Sequence, residues 1–422
     1  MRVRVEPSIA EGEVEAPPSK SWSQRALFLA LLAKGETVLE GLPTSDDVMA
    51  SLEAVKSFGV EVIKEKTKVK IVSEGEAKVP DDVINMRGSG TGARIAIGIA
   101  TTLPKGFGAV VTGDHTLRRR PMGPVIELFN SLGAEVRSVR GDKLPVVAFG
   151  HLKGGEVETD GSVTSQHITS ALIAGNKAEA PVKIKIRRPV SRAYIALTIS
   201  VSKLFGSNTS CNEEMSECSV NPSNLSAVNA KVPGDYALSA FPLVAGALTG
   251  GKVTVKGLPE PEGKFGDHKI IEYMKRFGAE VRYSNGSVTV EGGELRGATV
   301  NLRDEPDLAL PLAALAAEAK GESVLTGLRH LAYKESDRIK TIVETLRCFG
   351  VSAQTDGTSI RIWGGIKRRC KLKCPGDHRI AMMAAVMGSV MGSEIDAAEC
   401  VKKSWPEFWD VMESLGVKVY VG

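Results

Sequence analysis

Six times along the chain a polar or charged cluster opens a helical stretch rich in Ala and other small residues. In order they are SKSWSQRALFLALLAKG from Ser19, GSGTGARIAIGIATTL from Gly88, VTSQHITSALIAGNKA from Val163, GDYALSAFPLVAGALTG from Gly234, EPDLALPLAALAAEAKG from Glu305 and GDHRIAMMAAVMGSVMG from Gly376. Marked by Arg25, Arg94, Gln166, Asp235, Asp307 and Arg379, the steps are 69, 72, 69, 72 and 72 residues. A fixed period of this size is a structural repeat. A helix that is apolar on every side must be buried. Each repeat is therefore expected to bury one helix, whose N-terminus carries unpaired N–H groups and a partial positive charge suited to anions.

A second marker runs in phase. Amphipathic helices ending in an apolar residue and Gly, each followed by a short strand, place Gly59, Gly133, Gly206, Gly278, Gly350 and Gly416 at steps of 74, 73, 72, 72 and 66. In IIEYMKRF the apolar positions Ile270, Ile271, Met274 and Phe277 make one helical stripe, and Gly278 suits the left-handed stop. Each unit thus carries a buried helix, a half-exposed helix and several short strands bounded by Gly and Pro. Units of about 70 residues are too small to hold a core unaided, so they are expected to group three and three. The boundary is placed near Lys231-Val-Pro-Gly234, and the N-terminal strand is expected to complete the other half. The expected domains are residues 1–19 with 234–422, and 20–233, with ligands in the cleft between them.

Composition excludes several classes. A hydrophobic fraction of 42% with 25% charged residues describes an ordinary globular chain. The apolar runs stop short of a membrane span, and MRVRVEPSI reads as a strand rather than a targeting peptide; a cytoplasmic enzyme is expected. A net charge of +4 and 5% aromatic residues argue against a nucleic-acid binder. The six cysteines are too sparse for a disulfide framework. Cys370, Cys374 and His378 have a spacing that suggests zinc, but Pro375 and Gly376 interrupt them and a fourth ligand is missing, so no metal site is expected there. The basic residues gather at the helix openings: Lys20, Arg25, Arg94, Arg120, Lys334, Arg338, Arg379 and Lys403, with Arg118 and Arg119 read as surface charges. Arg at such places suits bidentate contact with carboxylate or phosphate.

PPSKSWSQRAL, GSGTGAR, GDHTLRRRP, DGSVTSQ, SRAYI, EPDLAL, YKESDRI, GDHRIAM and KKSWPEF, in register over nearly the whole chain, resemble the 5-enolpyruvylshikimate-3-phosphate synthase family. The resemblance implies an α/β (α+β) fold of two inside-out α/β barrel domains, with six βαβαββ repeats, three per domain. It implies transfer of the enolpyruvyl group of phosphoenolpyruvate to the 5-hydroxyl of shikimate 3-phosphate, without metal or organic cofactor, by a chain that is usually monomeric. By resemblance Lys20, Ser21, Arg25, Thr164, Ser165, Gln166, Ser191, Tyr194 and Lys334 surround shikimate 3-phosphate. Phosphoenolpyruvate is expected against Lys20, Gly90, Arg120, Gln166, Arg338, Arg379 and Lys403, where glyphosate competes in this family. Addition and elimination through a tetrahedral ketal phosphate need proton transfers, for which Asp307 and Glu335 are the candidates, with Lys20 as donor or electrostatic partner. The sequence departs from the family pattern at Pro18, at Gly92, and at His330 and Leu331, which stand where an Asn commonly contacts shikimate 3-phosphate.

The same residues admit other readings. Asp307 could cap its helix, and for Asp235 capping is preferred. Glu335 and Arg338 could form a local i,i+3 pair. His378 is expected to shape the loop presenting Arg379, and Ser45, Asp46 and Asp47 read as a helix start and hinge-side packing rather than chemistry. The enolpyruvyl transferase acting on UDP-N-acetylglucosamine relies on a Cys in the loop corresponding to GDHTLRRRP, and no Cys precedes Cys211. An RNA 3′-phosphate cyclase-like protein would need a nucleotide pocket or a basic stripe, and neither is present in the sequence.

Overall fold

In the computed structural model, which describes residues 1–262 and 266–422, the chain forms two compact units. One comprises Met1–Pro17 and Pro233–Gly422, the other Pro18–Val232. Among the described residues twelve α-helices alternate in burial: α1 (Lys20–Leu32), α2 (Asp46–Ser57), α3 (Gly90–Ala100), α4 (Gly123–Ser131), α5 (Gln166–Ala174), α6 (Arg192–Leu204), α7 (Tyr236–Thr249), α8 (Ile270–Arg276), α9 (Ala309–Ala316), α10 (Arg338–Cys348), α11 (His378–Met391) and α12 (Phe408–Ser414). The odd-numbered helices are buried on nearly every face. Their small residues allow this: a β-carbon on Gly98 of α3 would meet Ser170 Oγ of α5 at 2.3 Å, so the two backbones approach closely. The even-numbered helices bury one stripe each, as in α10, where Ile339, Ile342, Val343 and Leu346 face inward.

Among the described residues each unit carries three sheets of one design. In Gly155–Asp160, Val182–Arg187, Glu217–Asn221 and Asn208–Cys211 the first pair is parallel, as a helical crossover demands, and the other two are antiparallel. Val182, Ile184 and Ile186 point inward while Lys183, Lys185 and Arg187 point out, the alternation of a sheet with one wet face. The sheet of Ile84–Asn85, Gly108–Thr112, Val146–Phe149 and Glu135–Ser138 repeats this order, as does that of Thr299–Asn301, Glu322–Thr326, Ile360–Trp363 and Ser352–Thr355.

The repeats are closed within each unit by strands borrowed from its far end. Leu225–Ser226 and Asn229–Lys231 lie parallel to Ala33–Glu40, supplying the first-strand position of the first repeat. In the other unit the N-terminal segment provides two strands rather than one. Gly12–Glu15 runs parallel to Lys252–Lys256, and Arg2–Glu6 sits between Ser393–Asp396 and Lys418–Val421. One boundary differs from the sequence pattern: α1 stops at Leu32, and Ala33, Lys34 and Gly35 already belong to a strand. Pairing with Leu225, Glu74 and Ser73 overrides the local helical preference.

The cysteines also differ from expectation. Cys211 is bonded to Cys218 and Cys348 to Cys370, which removes Cys370 from any metal reading. Among the described residues no helix is long and apolar enough to cross a membrane.

Candidate active site

The unit Pro18–Val232 brings the openings of α1, α3, α5 and α6 into one hydrogen-bonded group. Ser19 Oγ caps α1 through the Trp22 N–H, and Ser89 Oγ caps α3 through the Gly92 N–H. Arg25, one turn into α1, is buried. Its Nε donates to Thr198 Oγ1 (2.8 Å), Nη1 to the Ser21 carbonyl (2.8 Å), and Nη2 to Thr169 Oγ1 (3.3 Å) and the Tyr194 carbonyl (3.2 Å). Burial lowers its pKa to about 10, which leaves it charged at neutral pH. Four of its five N–H donors are thus engaged by the protein, and Arg25 fixes Ser21 and Tyr194 relative to each other. Ser191, the residue before α6, is buried in a left-handed conformation.

Arg94, grouped by sequence only with the basic residues at the helix openings, ties together three of the candidates. Its guanidinium donates to the Gly90 carbonyl (3.0 Å), to Gln166 Oε1 (2.7 Å) and to the Pro121 carbonyl (2.6 Å), next to Arg120. A β-carbon on Gly90 would overlap the Arg120 guanidinium, so the glycine makes room for that cation. Thr164 Oγ1 accepts from the Gln166 N–H, and Thr164 and Ser165 are buried beside it. Arg118 is half-buried and Arg119 exposed.

The other unit holds a dense charge cluster. Arg338, 1% exposed, donates from Nη1 to Asp307 Oδ1 (2.8 Å), from Nη2 to Glu335 Oε2 (2.9 Å), and from Nε to Asp377 Oδ2 (2.8 Å). Arg379 Nη2 donates to Asp307 Oδ2 (3.0 Å), and Lys403 Nζ lies 3.9 Å from Glu335 Oε1. Burial alone would raise the Asp307 pKa, but Arg379, Arg338 and Lys334 outweigh it and hold the carboxyl well below the usual range. Burial likewise opposes the charge on Arg338, while Asp377, Glu335 and Asp307 raise its pKa well above normal.

Asp307 therefore spends both oxygens on arginines instead of capping a helix, and the i,i+3 pair of Glu335 and Arg338 is one edge of a larger network. Asp235 does cap: its Oδ1 accepts the Leu238 N–H at 2.9 Å. Asp377, which sequence reasoning passed over, caps α11 through the Arg379 N–H and also anchors Arg338 and Ser336. Its signal was the helix-start position in GDHR, which points to the cap but not to the ion pair. His330 is buried, its Nε2 has no hydrogen-bond partner among the described residues, and burial, then Lys334, lowers its pKa to about 3. No group of three or more His, Cys, Asp or Glu side chains with metal-binding geometry occurs among the described residues.

Comparison with known proteins follows the same outline. Residues 6–412 match the family model described as EPSP synthase (3-phosphoshikimate 1-carboxyvinyltransferase). The chain is 40% identical to the 3-phosphoshikimate 1-carboxyvinyltransferase of Caldivirga maquilingensis, with all of both chains covered. It is 40% identical to that of Korarchaeum cryptofilum, with 99% of each covered. Among solved structures, the EPSP synthase of Acinetobacter baumannii aligns over 100% of this chain and 99% of its own with a TM-score of 0.82 at 25% identity.

Proposed function

Starting from the fact that the chain belongs to the EPSP synthase family, we propose how its residues divide the work. The enzyme transfers the enolpyruvyl group of phosphoenolpyruvate to the 5-hydroxyl of shikimate 3-phosphate and releases phosphate, a step toward chorismate and the aromatic amino acids. The substrates carry several negative charges, so fixed cations are needed to hold them together. In our reading Lys20, Ser21, Arg25, Thr164, Ser165, Gln166, Ser191, Tyr194 and Lys334 hold shikimate 3-phosphate. Lys20, Gly90, Arg120, Gln166, Arg338, Arg379 and Lys403 receive phosphoenolpyruvate. No cofactor takes part, and the enzyme works as a cytoplasmic monomer.

One observation carries the catalytic assignment: the Asp307 carboxylate lies between Arg338 and Arg379. With both arginines on it, Asp307 is a weak base. A substrate carboxylate that draws Arg338 and Arg379 toward itself relieves that depression, so binding switches on the base that takes the 5-hydroxyl proton as its oxygen attacks C2 of phosphoenolpyruvate. A proton must reach C3 in the addition and leave it again as the C–O bond to phosphate breaks. Glu335, between Arg338 and Lys403, and Lys20 are the groups assigned to that exchange.

The test is phosphate release from the two substrates by wild type, Asp307→Asn and Glu335→Gln. Each substitution should lower kcat by about a hundredfold or more, the scale of general acid–base catalysis, with shikimate 3-phosphate binding by titration little changed. Wild-type kcat in either variant would remove that residue from the mechanism.

A further inference from the structure

Asp47, read from the sequence as part of a helix start and hinge-side packing rather than chemistry, is buried and turned toward α1. Its Oδ2 accepts from Lys20 Nζ at 2.8 Å, with the two side chains 4% and 14% exposed. Oδ1 is also buried and has no hydrogen-bond partner among the described residues. Nearby groups hold the backbone of Asp47 in place. Gln24 Nε2 donates to Ser89 Oγ (2.6 Å) and Ser51 Oγ (2.9 Å) and lies 3.2 Å from the Asp47 carbonyl, to which Ser51 Oγ donates (3.0 Å). Openings of α1, α2 and α3 are thereby fastened together. Gly92 contributes by omission, because a β-carbon there would press on Met86, Ser89 Oγ and Ser51 Oγ.

Lys20 is electrostatically favoured by this neighbour. It is the first residue of α1, where the helix dipole disfavours a cation, and it is mostly out of water, where a charge is costly to hold. Asp47 answers both, since an anion in the first turn of α2 is favoured by that helix's own dipole. A lysine has four rotatable side-chain bonds and a point charge, so one short ion pair to a rigid acceptor selects a single position for Nζ.

We infer that Asp47 is a positioning residue for the reaction: it acts through Lys20, holding the ammonium aimed at the reacting groups. The inference rests on the role given to Lys20 above. Because the contribution passes through one atom, removing Asp47 should disturb the chemical step more than substrate binding. Misplacement of a catalytic group by about 1 Å can cost on the order of a hundredfold in rate.

The experiment is a double-mutant cycle on the full-length enzyme, with kcat and both KM values measured for wild type, Asp47→Ala, Lys20→Ala and the double variant. Asp47→Ala should lower kcat roughly ten- to a hundredfold with either KM moved less than about threefold. Adding Asp47→Ala to Lys20→Ala should change nothing further beyond about twofold, since the group acted upon is gone. Asp47→Asn, nearly isosteric and still able to accept from Nζ, should fall between wild type and Asp47→Ala, and it provides the reading if the alanine variant does not fold. A merely structural role predicts the opposite pattern, with the two losses multiplying. Multiplying losses would overturn the inference. So would Asp47→Ala with unchanged kcat and a lower KM for phosphoenolpyruvate, which would mean that Asp47 only competes with substrate for the lysine. Full activity in Lys20→Ala would defeat the site assignment itself, and the inference with it, whereas loss in Lys20→Ala alone would leave the site standing and reject Asp47.

Discussion

A β-carbon placed on Gly90 would lie 2.6 Å from Cζ of Arg120, so the buried guanidinium occupies the space that any other residue at position 90 would need. Gly90→Ala must therefore move Arg120. A lost hydrogen bond from a charged donor costs about 1.5–3 kcal/mol. The KM for phosphoenolpyruvate should rise by roughly tenfold or more, while that for shikimate 3-phosphate changes little. If glyphosate competes at this place, its larger body should lose more than the substrate does. Steady-state kinetics with glyphosate as a competitor checks both parts, and an unchanged KM and inhibition constant would contradict the crowding.

The Cys348–Cys370 bond joins the C-terminal end of α10 to the strand Cys370–Lys373 across 22 residues. Closing a loop of that length stabilises by about 3 kcal/mol in the chain-entropy account. Reduction, or Cys348→Ser, should lower the unfolding temperature by several degrees while leaving kcat within about twofold, as read by calorimetry and phosphate release.

The buried helices were legible because their apolar character leaves no other place for them, and the repeat followed from their spacing. The strand borrowing that closes each unit was only half legible. MRVRVEPSI reads as a strand, but Leu225–Ser226 and Asn229–Lys231 are too short to announce pairing with Ala33–Glu40. Charged residues were legible as types and not as networks. Arg338 could be read as an anion binder, but its hold on Asp377 connects residues 39 apart, a relation no local pattern contains. Asp46 and Asp47 look alike at a helix start, and only packing makes one exposed and the other buried against Lys20. Cysteine spacing likewise does not encode pairing.

His167 and His330 give the fold a defined acid sensitivity. Each is buried, burial being the leading reason that its pKa drops to about 3 from an ordinary value near 6.5. In this window the unfolded chain binds protons that the folded chain does not, so stability is complete above about pH 6.5 and is lost as pH falls toward 3. Each histidine contributes a slope of up to about 1.4 kcal/mol per pH unit. Carboxylates such as Asp307, held below their usual range, add to the loss only below about pH 4. Urea denaturation between pH 5 and 6.5 should therefore show falling stability with acid, and His167→Gln should flatten the slope by about half. A wild-type curve level over that interval would mean that these histidines are not buried as neutral rings.

Arg338 is the group on which the charge cluster depends, since Asp307, Glu335 and Asp377 all meet it and Asp377 is 0% exposed. Lysine cannot replace it: a single ammonium lacks the planar fork that reaches three carboxylates in different directions. Arg338→Lys should leave at least one carboxylate without its partner, and Arg338→Ala should leave all three short of one. Breaking a buried pair by removing one partner costs about 3–5 kcal/mol, so Arg338→Ala should unfold at markedly lower urea, with Arg338→Lys between it and wild type. Activity should fall in both beyond what the loss of folded protein explains, because Arg338 also belongs to the proposed phosphoenolpyruvate contacts. Asp377→Asn separates the two roles. It weakens the anchor of Arg338 without deleting the cation, so its kcat should drop while the KM for phosphoenolpyruvate rises less than in Arg338→Ala. Denaturant midpoints and kinetic constants measured on the same preparations decide this, and a stable, fully active Arg338→Lys enzyme would refute the network as drawn.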